Sequence, residues 1–571
     1  MRAGLWFVAC AVLSLPSWAR GQERFDVLIR GGQVLDGTGN PWVSADVGIR
    51  GDRIAAVGRL EGASATRVIE ARGKVVVPGF IDIHSHADDG ASPRGGFRDD
   101  NPRRRAAPNL VTQGITTVVV NQDGRSPLPI AGQRADIARL GIGPNAILLV
   151  GHGSVRRAVM GTDFQRPARP DEIQRMRTMV RQGMQEGAWG LSAGLEYVPG
   201  RWSTTDEVVA LVEEIVPFGG VYISHQRSEG SDPMWYWPSQ DPPGPPNLLD
   251  AVMETIEIGE RTGATVVASH IKAKGAHYWG TSRAVIRLID DARRRGVRVW
   301  ADQYPYETTG SDGNTVLIPD WVFGPATAAN PARGQATDYA GLLRRRLADS
   351  ASARKVRTDI AHEIRRRGGA GRVLILEYRD STLVGKFLSD AAAVWNVSPV
   401  DAAIRMQLEG FSDREGGARL RGLSLSAYDL EPYAAQPWVA TSTDGGIALP
   451  EDGFTHPRFY GTFPRKIRHF ALDRGVISVE DAVRASASLP ARILGLKDRG
   501  MVHEGYRADV AVIDLSRIQD KSTFFQPHQY AEGVDFVLVN GEIVVEDGAP
   551  TWAMPGRVLT PETRKAGTSD P

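Results

Sequence analysis

Short runs of apolar residues, broken by Gly, Asp and Asn, open the chain and return near its end. They occupy residues 25–29, 34–35, 45–49, 54–57 and 68–70, then 508–515, 534–539 and 542–546. Runs of this kind between turn residues predict β-strands. Matching strand texture on both sides of a long middle predicts one small β-sandwich domain built from both chain ends, 22–77 and 500–556. The middle has another rhythm. Eight apolar runs, at 75–86, 115–123, 146–152, 188–194, 220–229, 264–274, 297–306 and 438–444, alternate with helical stretches such as 170–186, 248–262 and 283–295. Strands alternating with helices predict a parallel sheet, and eight such units predict an α/β fold of the (β/α)8 TIM-barrel type over 78–499. Residues 308–437 are too long for a simple crossover and carry helical runs at 338–349, 352–367 and 399–408, so they are expected to cover the barrel mouth as a lid. Residues 557–571 read as a loose tail.

The first residues stand apart. Arg2 precedes an apolar run over 5–15, followed by Pro16, Ser17, Trp18 and Ala19. A basic start, a short apolar stretch and small residues predict a signal peptide over 1–21, and hence an exported protein, periplasmic or secreted. The run is too short to span a bilayer, and no later stretch approaches the length a membrane span needs. Cys10, the single cysteine of the chain, lies inside this segment; its reading as a lipidated cysteine ranks second, because the apolar run before it is short. A mature chain without cysteine suits an oxidising compartment and leaves no thiolate chemistry.

Composition narrows the classes further. With 42% hydrophobic and 24% charged residues the chain is ordinarily globular, which excludes disorder, collagen-like repeats and coiled coil. Lys+Arg number 68 against 67 Asp+Glu. The short Arg runs at 103–105, 293–295 and 344–346 read as solvated faces, so no nucleic-acid partner is expected.

Polar side chains stand at the ends of the predicted barrel strands, where that fold places its chemistry. Phe80-Ile81-Asp82-Ile83-His84-Ser85-His86 sets two histidines one residue apart on a strand, on the same side, so both imidazoles can meet one cation. Ser224-His225 and Ser269-His270 each end an apolar run, and Thr443-Asp444-Gly445 ends the last. Four histidines and an aspartate at the strand ends of one barrel point to a metal site. His152 reads as a shape residue. Glu229 is expected to orient Arg227 or to face solvent, and His277, His362, His469, His503 and His528 to be structural. The stretch Met234-Trp235-Tyr236-Trp237-Pro238 suits either an apolar wall for an acyl group or a packed loop.

These residues, with Gly151-His152-Gly153, Gly190-Leu191-Ser192-Ala193-Gly194, Asp302-Gln303-Tyr304-Pro305-Tyr306 and His456-Pro457-Arg458, resemble the amidohydrolase superfamily. Within it they resemble the N-acyl-D-amino-acid deacylase (D-aminoacylase) family over nearly the whole mature chain. The resemblance implies one or two zinc ions, with His84 and His86 on one and His225 and His270 on the other. It implies Asp444 as the catalytic acid/base leaning on the metal, Lys272, Tyr304 and Arg458 as receivers of a substrate carboxylate, and Tyr197 at the substrate oxygen. One position departs. Where the family carries Gly-Asn-Cys-Gly, this chain reads Asn121-Gln122-Asp123-Gly124. Asp123 can replace the thiolate as an oxygen ligand, and a harder ligand loosens the preference for soft metals; alternatively Asp123 only caps a turn before Gly124.

The expected activity is therefore zinc-dependent hydrolysis of an N-acyl-D-amino acid, with a small N-acyl amino acid or dipeptide bearing a free carboxylate as substrate. A metallodipeptidase is a near rival. A hydantoinase- or dihydroorotase-like cyclic amidase is a further one, weakened because Gly190–Gly194 and Glu196 offer no lysine at the fourth strand. A non-catalytic binding protein on the same barrel is the rival from another class.

Overall fold

The computed structural model describes residues 24–88, 95–324 and 338–561. The leader expected at 1–21, with Cys10, lies outside these residues. Strands from both chain ends join in one nine-stranded sheet. Its order is Ala549–Pro550, Glu542–Glu546, Val534–Val539, Val510–Ile513, Val75–Pro78, Arg24–Val34, Val43–Arg50 and Arg53–Gly58, with Ser64–Glu70 pairing on Arg24–Val34. The seam between the ends is Val75–Pro78, parallel to Arg24–Val34 and antiparallel to Val510–Ile513. Side-chain alternation puts Val27, Ile29, Val47, Ile49, Val510, Val512, Phe536 and Leu538 into one shared core, which ties the ends by burial as well as by hydrogen bonds.

The apolar run at 75–86 does not form a single strand. Val75–Pro78 stays in the terminal sheet, and β1, Phe80–Asp82, begins the next. Gly79 is the pivot. Its N–H donates to the Asp509 carbonyl at 2.8 Å, and a Cβ there would lie 2.3 Å from the Thr116 side chain, a contact no larger residue can make.

The remaining middle strands are β2 (Ile115–Val120), β3 (Asn145–Leu148), β4 (Val150–Gly151), β5 (Gly190–Gly194), β6 (Val221–His225), β7 (Thr265–Ala268), β8 (Val299–Gln303) and β9 (Val439–Thr441). β1 to β3 pair in parallel, and so do β4 to β9. Only Leu149 parts β3 from β4. Beyond the first and last strands, Ser85 bridges Gly445 in parallel, and the Asp444 N–H donates to the His84 carbonyl at 2.9 Å. The strands are buried on both faces, as parallel strands covered by helices must be.

Helices return the chain between strands. Leu248–Thr262 shows why one forms where the pattern places it: Asn247 accepts from the N–H groups of Leu249 and Asp250, the Asp250 carboxylate accepts from the Asn247 N–H, and Gly263 ends the helix in left-handed backbone. The insertion over 308–437 holds the expected helices as Tyr339–Ala348, Ser350–Arg366 and Pro399–Glu409, and adds Leu388–Trp395. It also carries an antiparallel pair, Val373–Glu377 with Arg419–Gly422, that the helical reading omitted; Val-Leu-Ile-Leu alone is too short to separate strand from buried helix. Leu343, Val356, Ile360, Val373, Ile375, Leu388, Met406 and Leu420 give the insertion its own core.

The tail also differs from expectation. Val558 and Leu559 pair in parallel with Ala146 and Ile147 of β3, Ala146 donates to the Arg557 carbonyl at 2.9 Å, and Leu559 packs on the cluster of Ile81, Val119 and Ile147. Ending the chain after Gly556 strands a buried N–H and uncovers apolar surface. The expected loss is about 2–3 kcal/mol, seen in calorimetry as a melting temperature lowered by several degrees. A chain ending at residue 561 should melt higher than one ending at Gly556; equal melting of both truncations would show that this pairing adds nothing.

Candidate metal centre

Four histidines and two aspartates meet beyond the carboxyl ends of the parallel strands. His84 and His86 follow β1, Asp123 follows β2, His225 ends β6, His270 follows β7 and Asp444 follows β9. His84 Nε2 lies 3.5 Å from Asp123 Oδ1 and 3.7 Å from Asp444 Oδ1. His86 Nε2 lies 3.6 Å from Asp123 Oδ2 and 3.2 Å from Asp444 Oδ1. On the far side of Asp123, Oδ1 is 3.6 Å from His225 Nδ1 and 3.8 Å from His270 Nε2, and those two nitrogens are 3.0 Å apart. Zinc bonds of 2.0–2.2 Å in a tetrahedron set neighbouring ligand atoms roughly 3.3–3.5 Å apart, close to the spacing found. His84 Nε2 and Asp123 Oδ1 are buried with no hydrogen-bond partner among the described residues. Buried polar atoms are rarely left this way unless something else satisfies them, so the donor set fits a cation.

Asp123 lies among the four histidines and is also in a turn. Its φ of 57° is left-handed, and so are those of His270 at 36° and Asp444 at 46°, conformations that cost non-glycine residues energy and gather at functional sites. Gly194 makes room for the Asp123 turn: a Cβ on Gly194 would stand 2.3 Å from the Asp123 carbonyl oxygen.

Further hydrogen bonds fix the orientation of these candidate ligands. His84 Nδ1–H donates to Ser269 Oγ at 2.5 Å, and Ser269 donates to Asp302 at 2.7 Å. Asp302 also accepts the His270 N–H at 2.9 Å and the Ser442 hydroxyl at 2.5 Å. One carboxylate at the end of β8 therefore gathers groups following β1, β7 and β9. Asp82 accepts the Thr443 N–H at 2.9 Å and its hydroxyl at 2.5 Å. His225 Nε2 faces Glu196 at 3.0 Å. None of Ser269, Asp302, Asp82 and Glu196 stood out by residue type; the signal available was their position at strand ends beside a ligand.

The electrostatics are those of carboxylates set among imidazoles. Burial raises Asp123, but His225, His270 and His86 outweigh it and hold the carboxyl well below its usual range. Burial likewise pushes Asp444 up, and Arg458, His270 and His86 hold it far down. His84 is kept neutral by burial and by the nearby His270. Burial opposes a proton on His225, yet Glu229, Asp123 and Glu196 push it up to about 10, and a metal ion competes for the same lone pair.

A cavity of about 470 Å³ opens over the cluster, lined by His86, Asp123, Tyr197, Lys272, Tyr304 and Arg458 among others. Tyr197 packs against His225 with ring centroids 4.2 Å apart and the planes tilted by 41°. Tyr304 lies beneath two cations, with Lys272 at 5.5 Å and Arg458 at 4.9 Å from its ring centroid, and its buried hydroxyl has no hydrogen-bond partner among the described residues. Arg458 donates to Asp444 at 2.7 Å. Glu229 corrects the sequence reading: it is buried and pairs with Lys272, while Arg227 pairs with Glu254 at 2.8 Å. Of the aromatic-rich loop only Met234 lines the cavity; Trp235 and Trp237 stack against Arg201 and Arg366. His152 pairs with Glu207 at 3.0 Å and begins the helix His152–Met160, a structural place.

Site and fold together describe a metal-dependent hydrolase, and comparison with known proteins agrees. The amidohydrolase family pattern (Amidohydro_3) matches residues 67–213 and 389–545. A D-aminoacylase of Alcaligenes xylosoxydans xylosoxydans is 32% identical over 94% of this chain and 98% of its own. An N-acyl-D-glutamate deacylase of the same organism is 31% identical over 96% and 99%. A crystal structure of D-aminoacylase superposes with TM-score 0.70 at 31% identity, covering 94% of this chain and all of that one. N-acyl-D-glutamate deacylase of Bordetella bronchiseptica, solved with zinc and a phosphonate mimic of the tetrahedral intermediate, superposes with TM-score 0.68 at 29% identity, covering 94% and 100%. The chain belongs to the amidohydrolase family, in its N-acyl-D-amino-acid deacylase branch.

Asp123 is the position to test first. Asp123→Ala should lose most bound metal and activity, whereas Asp123→Cys should keep a site with a preference shifted to softer metals. Metal content by mass spectrometry after dialysis decides. Unchanged content in Asp123→Ala would reduce Asp123 to a turn residue.

Proposed function

We propose that this protein is an exported, zinc-dependent deacylase that hydrolyses N-acyl-D-amino acids to a carboxylate and a free D-amino acid. One observation carries the proposal: a carboxylate set between two groups of imidazoles opens on a cavity that Lys272, Tyr304 and Arg458 also line. His84, His86, Asp123, His225, His270 and Asp444 would hold one or two zinc ions. Bound zinc supplies Lewis acidity, which acidifies water and draws charge from the scissile carbonyl. The finer architecture belongs to the same reading: β1 to β9 close as a (β/α)8 barrel, the terminal sheet folds over as a sandwich from 22–77 and 500–556, and 1–21 is a removed leader. A protein from its native host whose N-terminus still begins at Met1 would contradict export.

The chain's own residues account for binding and proton movement. Lys272, Tyr304 and Arg458 receive the substrate carboxylate, Arg458 through a planar fork and Lys272 as a point charge. Burial keeps the Tyr197 hydroxyl well above its usual range, so it remains a donor for a substrate oxygen. Asp444 is ionised before substrate arrives, accepts a proton from the attacking water, and returns it to the leaving nitrogen. Its pairing with Arg458 couples the two tasks: a substrate carboxylate that draws on Arg458 weakens the charge holding Asp444 down, so binding makes it a better base. The lack of a lysine in Gly190–Gly194 disfavours the cyclic-amidase rival.

A panel of N-acetyl-D- and N-acetyl-L-amino acids, with matching dipeptides, tests the reading; cleavage confined to L substrates, or none with zinc bound, would overturn it. Asp444→Asn should lower kcat ~10²–10⁴-fold. Arg458→Ala should lower kcat/KM by about 10–100-fold for an N-acetyl-D-amino acid, through both KM and kcat because of the Asp444 contact, and much less for the corresponding uncharged amide. Equal proportional losses on both substrates would make Arg458 structural.

A further inference from the structure

Glu196 sits in the turn after β5, 3% exposed, and touches no substrate-facing cation. Its Oε2 meets His225 Nε2 at 3.0 Å, and its Oε1 accepts the Met234 N–H at 2.6 Å. A neutral imidazole carries one N–H and one lone pair, and the partner of one nitrogen decides which is which. His225 turns Nδ1 toward His270 and Asp123 and turns Nε2 toward Glu196, which as a carboxylate can only accept. The Met234 peptide continues the connection. Its carbonyl accepts from Arg366 at 3.1 Å, and Arg366, on the insertion helix Ser350–Arg366, is held by Asp232 at 2.7 Å and by Glu363 at 2.9 Å. The Met234 side chain lines the substrate cavity.

We propose that Glu196 is a positioning residue that locks His225 with its proton on Nε2 and its Nδ1 lone pair turned to the metal, and that the Met234 peptide ties this ligand to the insertion. The inference rests on the metal-centre reading above. Its chemistry is specific because Glu196 faces two N–H donors, one from His225 and one from Met234. A carboxylate satisfies both. Glutamine has the same shape but one acceptor and one donor, so either His225 is turned into the wrong tautomer or the buried Met234 N–H is left facing another N–H. Loss of such an outer partner lowers metal affinity by ~10–100-fold in well-studied sites. Strain in the loop around Met234 would reach the metal by the same route, so the insertion and the metal are expected to be sensed together.

Zinc affinity of the full-length protein, measured by competition with a fluorescent chelator, tests both halves. Glu196→Gln should bind zinc 10–100-fold more weakly and regain most of its kcat when zinc is added to saturation, while Glu196→Asp, which keeps a carboxylate, should lose less. Arg366→Met should weaken zinc binding several-fold without removing any ligand. Wild-type affinity in Glu196→Gln would overturn the positioning role, and wild-type affinity in Arg366→Met would overturn the link. Should Glu196→Gln fail to fold, zinc-loaded wild type labelled with [15N]histidine decides. A slowly exchanging Nε2–H on His225, assigned by its loss in His225→Asn, is expected; its absence refutes the lock. Wild type that binds no zinc would overturn the metal-centre reading itself, whereas zinc binding without deacylation would overturn only the proposed activity.

Discussion

A buried negative charge at Asp123 is what the rest of the site is built around. A carboxylate removed from water is unstable unless positive or hydrogen-bonding partners surround it. Here the surroundings are imidazole nitrogens on two sides, all between 3.5 and 3.8 Å away, and Asp123 Oδ1 has no hydrogen-bond partner among the described residues. Such an arrangement is stable only with a cation or protons among the nitrogens. Several backbone features follow from that need. The chain after the strand Ile115–Val120 must turn into left-handed backbone to aim the carboxylate, and Gly194 must lack a side chain so that the turn can approach.

The outer layer shows how a parallel sheet holds such a group steady. Strand ends are separate pieces of chain, and hydrogen bonds between them help to keep the six side chains of the cluster in register. Asp302 binds Ser269, His270 and Ser442, and through Ser269 it fixes His84. Asp82 does the same for the Thr443 turn that precedes Asp444. Glu229 occupies Lys272 and lies 3.2 Å from His270 Nδ1. The histidines and Asp444 therefore share partners with Lys272 and Arg458, so a change of charge at either cation reaches the cluster without any large movement.

Much of this was legible in the sequence. Residues with chemistry at the ends of apolar runs marked His84, His86, His225, His270 and Asp444, which the fold brings together because a strand end in a parallel sheet is a single geometric place; Asp123 entered only where the family resemblance breaks. Strand boundaries were less legible. The run at 75–86 looks continuous, and nothing local says that Gly79 hands the chain from one sheet to another; that decision is made by Asp509 and Thr116, far away in sequence. The pairing of Val558 and Leu559 is invisible for the same reason, since two residues carry no period. Glu229 is not legible because its neighbour Arg227 lies closer in sequence, although Glu254 captures that arginine in space. Glu196 was noticed only as a residue that is not lysine; its two N–H partners come from separate loops.

The most direct test of the account is a crystal structure of the zinc-loaded protein with anomalous data at the zinc edge. Zinc density should lie between Asp123 and the histidines, with an Asp123 oxygen within about 2.0–2.2 Å of metal and His225 ligating through Nδ1. Zinc bound by histidines alone with Asp123 turned away, or no zinc at this place, would contradict it.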